Sequence, residues 1–130
     1  MFCSIVKGAL PASVVAKNAD AMAFLDARPL FKGHVLVVPA AHVETLPELE
    51  NLGPLFSLVR QVSRALPEAL GAQGSFVAVN NVVSQSVPHL HVHVVPRTKG
   101  DGLKGFFWPR TKYASDAERD EYAQKIAAKL

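Results

Sequence analysis

Apolar positions along the chain recur with two periods, and each change of period marks an element. Ser13–Lys17 and Ala21–Leu25 are short, mostly apolar runs on either side of Asn18, Ala19 and Asp20, and they predict two strands joined by a turn. Gly33–Pro39 (GHVLVVP) is β-branched or aliphatic almost throughout and predicts a strand ended by its proline. The period then lengthens. Leu52, Leu55, Phe56, Val59, Val62 and Leu66 recur every three or four residues, which is one apolar face of a helix. Asn51 is its expected N-cap, Pro54 fits the first turn, and Pro67 is expected to end or kink it. Phe76–Asn80 and His89–Val95 return to strand character, the second closed by Pro96. The glycine-rich, basic stretch 97–114 reads as loop. Ser115 and Glu118 form a capping box for a final helix over 115–130, with Tyr122, Ile126 and Leu130 as its apolar stripe. Five strands and two principal helices make an α+β chain with a mainly antiparallel sheet, read as a single domain over residues 1–130.

Composition narrows the function classes. The 130 residues are 49% hydrophobic, with a formal net charge of +3 and 19% charged residues, which excludes global disorder. No run approaches the ~18 apolar residues of a membrane span. Met1–Val6 lacks the basic start and apolar core of a signal peptide. Cys3 is the only cysteine, so a reducing cytoplasm is the expected compartment. A pI near 9.2 suits an anionic ligand. Arg97, Lys99, Lys104, Arg110 and Lys112 face only Asp101 in the basic loop, which also carries Phe106, Phe107 and Trp108. No nucleic acid or membrane partner is expected; the loop's cations would attract a polyphosphate at long range, and its three aromatics read as plain packing, as burial at a dimer interface, or as a cover over the site that stacks on a second base or an acyl group.

The chemistry concentrates in one segment. His89, His91 and His93 alternate with Leu90 and Val92, so a strand would send all three imidazoles to one face over roughly 13 Å. Such a row admits three readings. It is a set of hydrogen-bonded or solvated histidines, a metal site completed by a ligand such as His42, or an acid–base or nucleophilic histidine with orienting neighbours. His34, standing alone, reads as a packed core histidine. The loop Ser84-Gln85-Ser86-Val87-Pro88 directly before the row offers hydroxyl, amide and backbone donors suited to the oxygens of a phosphoryl group. Asn80 and Asn81 add amides from the preceding strand. This neighbourhood favours the third reading.

His89-Leu90-His91-Val92-His93-Val94-Val95 resembles the motif of the histidine triad family, His-φ-His-φ-His-φ-φ with φ apolar, at every position. The resemblance extends from Cys3 to about Arg97, through Phe24-Leu25-Asp26, Gly33-His34-Val35-Leu36-Val37-Val38-Pro39, His42 and Gln85-Ser86-Val87. It implies a homodimer whose sheet extends across the two-fold axis. It implies an enzyme that hydrolyses or transfers nucleoside monophosphates, with a purine nucleotide as substrate and no obligatory cofactor. His91 would attack the α-phosphate and become a nucleotidyl-histidine, while its other ring nitrogen donates to a backbone carbonyl. His93 and His89 would flank the phosphate, Ser86 would lie near the leaving group, and Asn80 and Gln85 match further contacts. Phe24, Leu25, Asp26 and Ala27 match the base and ribose wall, with Asp26 accepting from ribose hydroxyls. A phosphoramidate and a dinucleoside polyphosphate are both open as substrates, the second with a divalent ion to neutralise it. A nucleotide sensor or scaffold of the same fold, with little turnover, is the alternative.

Three departures from the family pattern stand out. The loop between Asn80 and His89 is about two residues shorter than in the commoner branches, and Ser84 occupies a position usually held by glycine. Many bacterial members bind zinc through C-x-x-C and histidines matching His42 and His89. Here Cys3 matches only the second cysteine, so no zinc is expected and Cys3 reads as a packed or free thiol. The aromatic loop beyond the motif is the third departure.

Overall fold

The computed structural model describes residues 1–103 and 110–130. Lys104, Phe106, Phe107 and Trp108 of the aromatic loop lie outside them. The strands are β1 (Val14–Lys17), β2 (Ala21–Leu25), β3 (Val35–Pro39), β4 (Gly74–Ala78) and β5 (Val92–Arg97), and the helices are α1 (Phe2–Val6), α2 (Gly53–Leu70) and α3 (Asp116–Ala127). Every strand pair is antiparallel, in the order β1-β2-β3-β5-β4, so β1 and β4 form the edges.

β2 and β3 are buried on both faces, and alternation assigns each residue to one of two cores. Ala21, Ala23, Val35, Val37, Val92 and Val94 pack with Leu55, Leu58, Val59, Val62 and Leu66 of α2. Met22, Phe24, Leu36 and Val38 face the other way, against Phe2 of α1. Leu36 stands opposite His93 in the β3–β5 register, so His93 belongs to this second face.

Several boundaries differ from the sequence reading. The short helix α1 is not legible from periodicity, since five residues do not complete two turns. β4 begins at Gly74 and stops at Ala78, which leaves Asn80 beyond the strand. The N-cap of α2 is Leu52 rather than Asn51, and the helix continues through Pro67 to Leu70 before Gly71 closes it at φ 70°. Pro67 is exposed in the last turns, where water can satisfy the hydrogen bond that its missing N–H leaves open. Half of the expected capping box of α3 forms, with Ser115 Oγ accepting from the Glu118 N–H; the Glu118 carboxylate accepts from the Ala114 N–H, one residue before the N-cap. Its apolar stripe is not buried: Tyr122, Ile126 and Leu130 are all exposed.

His89, Leu90 and His91 also fall outside regular strand, since β5 begins only at Val92. The His89 N–H donates to the Val87 carbonyl two residues back, and the Leu90 N–H donates to Val43. His89 still meets the Phe2 ring that meets His91, but it lies beside Cys3 and His42 and does not line the cavity on the second face. In the basic loop, Arg97 forms a two-point pair with Asp101 and donates to the Leu103 carbonyl. The same pairing holds the Asp101 carboxyl down at about 2.

Candidate active site

A cavity of about 990 Å³ opens on the second face of the sheet. α1 supplies Phe2 and Ile5, β2 and its following turn supply Phe24, Leu25, Asp26, Ala27 and Arg28, and β3 supplies Leu36. Ser86, Val87, His91 and His93 also line it, together with Met1 and the segment 11–13. Of the residues the sequence singles out, the fold thus brings His91, His93, Ser86, Phe24, Leu25, Asp26 and Ala27 to one cavity. His89, Asn80, Ser84 and Gln85 do not line it.

His91 is 6% exposed, and its Nδ1 lies 2.7 Å from the His89 carbonyl oxygen. A carbonyl can only accept, so Nδ1–H donates and neutral His91 keeps a lone pair on Nε2. The Phe2 ring meets His91 edge-on at 5.2 Å and His89 at 5.8 Å, and so wedges between them. His93 stands 5.0 Å from His91, ring centre to ring centre. Burial first, then the neighbouring His91 and His34, pushes the His93 pKa down to about 4.

The loop before the triad is shaped by its own side chains. Ser84 adopts φ 61°, the left-handed conformation that glycine takes without strain, which accounts for glycine at this position in the resembled pattern. Gln85 is consumed internally: its Oε1 accepts from the Val82 N–H and its Nε2 donates to the Glu44 carbonyl. Asn81 accepts from the Leu46 N–H, which fixes the turn after β3. Asp26 closes the turn after β2 by accepting from the Arg28 N–H at 2.9 Å.

Two contributors were not singled out for the site. Phe2 comes from the helix that periodicity does not reveal. His34 Nε2 lies 3.0 Å from His93 Nδ1, so it is part of the cavity's supporting shell and no isolated core histidine. The signal for His34 was present: it shares alternation with Leu36 and Val38, the strand face that carries His93.

The HIT domain model matches residues 7–100 of the chain. The chain belongs to the histidine triad family. Two curated relatives bear on its chemistry. The adenosine 5′-monophosphoramidase of Schizosaccharomyces pombe is 36% identical over 134 residues, covering 100% of this chain and 97% of that one. The asymmetrical bis(5′-nucleosyl)-tetraphosphatase of the same yeast is 39% identical over 83 residues, covering 61% of this chain and 46% of that one. Among solved structures, a HIT family protein from Bacillus subtilis superimposes with a TM-score of 0.90 at 30% identity, covering 100% of this chain and 96% of that one. A zinc-bound histidine triad family protein from Mycobacterium smegmatis gives 0.75 at 32% identity, covering 98% and 95%. Relatives in this histidine triad family are thus named as nucleotide hydrolases, and the five-stranded α+β fold is theirs.

His89 faces a second cluster. Its Nδ1 lies 3.5 Å from Cys3 Sγ and 3.3 Å from His42 Nδ1, and Cys3 Sγ lies 3.3 Å from His42 Nδ1. Tetrahedral zinc with nitrogen and sulfur at about 2.0–2.3 Å places neighbouring donors roughly 3.3–3.6 Å apart. His89 Nε2 is 3.0 Å from the Pro39 carbonyl and must donate to it, which leaves Nδ1 with a lone pair for a metal. The donor set therefore fits three corners of a zinc site, in one soft thiol and two imidazoles. Cys3 is a free, part-buried thiol, as the sequence reading expects, and it lies beside two imidazoles.

The buried imidazoles make stability depend on pH. The His93 pKa falls from 6.5 to about 4 on folding, and burial also lowers His34 and His89. Between those values the unfolded chain binds more protons than the folded one. Stability is therefore full above pH 6.5 and declines as pH falls toward 4. The expected loss between pH 7 and pH 5 is on the order of 1–2 kcal/mol. Urea midpoints measured across this range read it directly, and a midpoint unchanged from pH 7 to 5 refutes it.

Proposed function

We propose that this chain is a nucleotide hydrolase or nucleotidyl transferase that releases a nucleoside monophosphate from a phosphoramidate or a dinucleoside polyphosphate. The observation that carries the proposal is the His91–His89 hydrogen bond, which puts the single proton of neutral His91 on Nδ1 and its lone pair on Nε2, in a cavity shared with Ser86 and Asp26. In the first step Nε2 attacks the α-phosphorus, a P–N bond forms, and the bond to the leaving amine or phosphate breaks. In the second step water attacks the same phosphorus, the P–N bond breaks, and the monophosphate leaves with His91 restored. His93 and Ser86 border the phosphoryl position and donate to its oxygens. Phe24 offers an apolar wall to a purine base, and Asp26 an acceptor for ribose hydroxyls. A homodimer joined through the free edge of β4 belongs to the same proposal.

The test is a competition. Equimolar adenosine 5′-phosphoramidate and diadenosine tetraphosphate are incubated with the protein, and products are followed by mass. Consumption of either supports the proposal and selects the leaving group. Binding of adenosine nucleotides with neither consumed overturns it in favour of a sensor module.

Zinc, where bound, would be held by Cys3, His42 and His89 and would tie α1 to the segments flanking β3 and β5. It would act there as a structural brace. Protein dialysed against zinc and then freed of excess is expected to retain about one ion per chain, and Cys3→Ser to lose it. Equal zinc in both proteins counts against the site.

A further inference from the structure

We propose that His34 is a positioning residue of this site: it fixes the tautomer and ring orientation of His93, so that His93 presents an Nε2–H to the transferring phosphoryl group. The proposal deepens the function proposed above and rests on it for the identity of the phosphoryl group. The hydrogen-bond arrangement it describes can be tested without any substrate.

The Leu30 N–H lies 3.0 Å from His34 Nδ1. An amide can only donate, so Nδ1 accepts and carries no proton. Neutral His34 must then hold its single proton on Nε2. That atom is 3.0 Å from His93 Nδ1, so His93 accepts there and its own proton is forced to Nε2. Burial favours the neutral form of both rings. Asp26 Oδ2 stands 3.8 Å from His34 Nε2, beyond hydrogen-bond distance, and does not take the proton.

The consequence is a pair of opposite tautomers on one cavity wall. His91 donates at Nδ1 and keeps an electron pair on Nε2. His93 accepts at Nδ1 and keeps a proton on Nε2. One ring supplies the nucleophile and the other a donor for phosphoryl oxygen, and the difference traces to which backbone group each chain of bonds ends on. A carbonyl, that of His89, anchors His91; an N–H, that of Leu30, anchors His93 through His34.

The same reasoning separates two clusters that look alike. Asp26, His34 and His93 bring three potential ligand atoms within 4.8 Å, as do Cys3, His42 and His89. His89 donates to a carbonyl and keeps a lone pair where its neighbours meet. His34 accepts from an amide and has a proton at that position. The first arrangement suits a cation, the second a hydrogen bond.

Two measurements test the proposal. Two-bond ¹H–¹⁵N spectra of the full chain at pH 7.5 are expected to show His34 and His93 as pure Nε2–H forms and His91 as a pure Nδ1–H form. His93 found as the Nδ1–H form, or as imidazolium, overturns the proposal whether or not any nucleotide is cleaved. Turnover is then measured for His34→Leu, which keeps bulk without a donor, and His34→Gln, which keeps an amide donor. His34→Leu is expected to lower kcat by about 10–100-fold with KM within about threefold, and His34→Gln to recover most of that loss. Equal kcat in the wild type and His34→Leu overturns the positioning role, as does an equal loss in both variants. If the spectra are as stated but no substrate is turned over, the function proposed above fails and the bonding pattern stands.

Discussion

Replacing His91 by asparagine is expected to lower turnover by about 10⁴-fold or more while adenosine nucleotides still bind within a few fold of the wild type. His91 lies 6% exposed between the Phe2 ring and His93. Its Nδ1 proton is committed to the His89 carbonyl at 2.7 Å. Asparagine can retain a donor toward that carbonyl, but its amide has no basic nitrogen to form a bond to phosphorus. In the reaction proposed above the substitution removes the nucleophile, while Asp26, Phe24 and Ser86 stay on the cavity wall. Single-turnover mixing with acid quench gives a second reading: radiolabelled nucleotide stays on the wild-type chain and not on the variant. Turnover within tenfold of the wild type refutes His91 as the attacking group and points to direct attack by water.

Leu90→Ala is expected to cost about 3 kcal/mol of stability, lowering the melting temperature by roughly 10 °C. Leu90 is fully buried in the core beneath α2, and its N–H donates to the Val43 carbonyl at 2.7 Å. It is also the residue between His89 and His91, whose carbonyl and ring share the decisive hydrogen bond. A cavity beneath this segment loosens the histidines from behind. Leu55→Ala, in α2 and also buried, is expected to lose similar stability without changing kcat of the folded protein. Thermal denaturation of both variants, with kcat measured well below either transition, separates the two effects. A Leu90→Ala protein that melts within 2 °C of the wild type contradicts the packing described.

Much of this architecture is written in local alternation. Val35, Val37, Leu36 and Val38 divide between two cores as a strand requires, and the α2 face from Leu55 to Leu66 follows its period. The capping residues Ser115 and Glu118 behave as their types dictate. The parts that escape reading depend on distant partners. Alternation predicts one row of three histidines, and Phe2 meets both His89 and His91; what it does not show is that His89 is claimed by Cys3 and His42, 86 and 47 positions away. Gln85 reads as a donor for substrate, yet it spends both ends of its amide on the Val82 N–H and the Glu44 carbonyl. His34 reads as core because its partner lies 59 positions along the chain. The exposed stripe of α3 shows the reverse case, in which a helical period is present and no surface of the described chain covers it.

The two-faced burial of β2 and β3 has an effect on how this enzyme family can change. Along β3 (Val35–Pro39), Val35 and Val37 hold the fold against α2, while Leu36 lines the cavity. Neighbouring positions in one strand therefore answer to different demands. Substitutions at cavity-facing positions can reshape the cavity wall while the helix-side packing stays untouched, and drift in the helix-side core leaves the cavity wall in register. A single short strand can thus conserve its shape through one set of alternate residues and vary the cavity through the other.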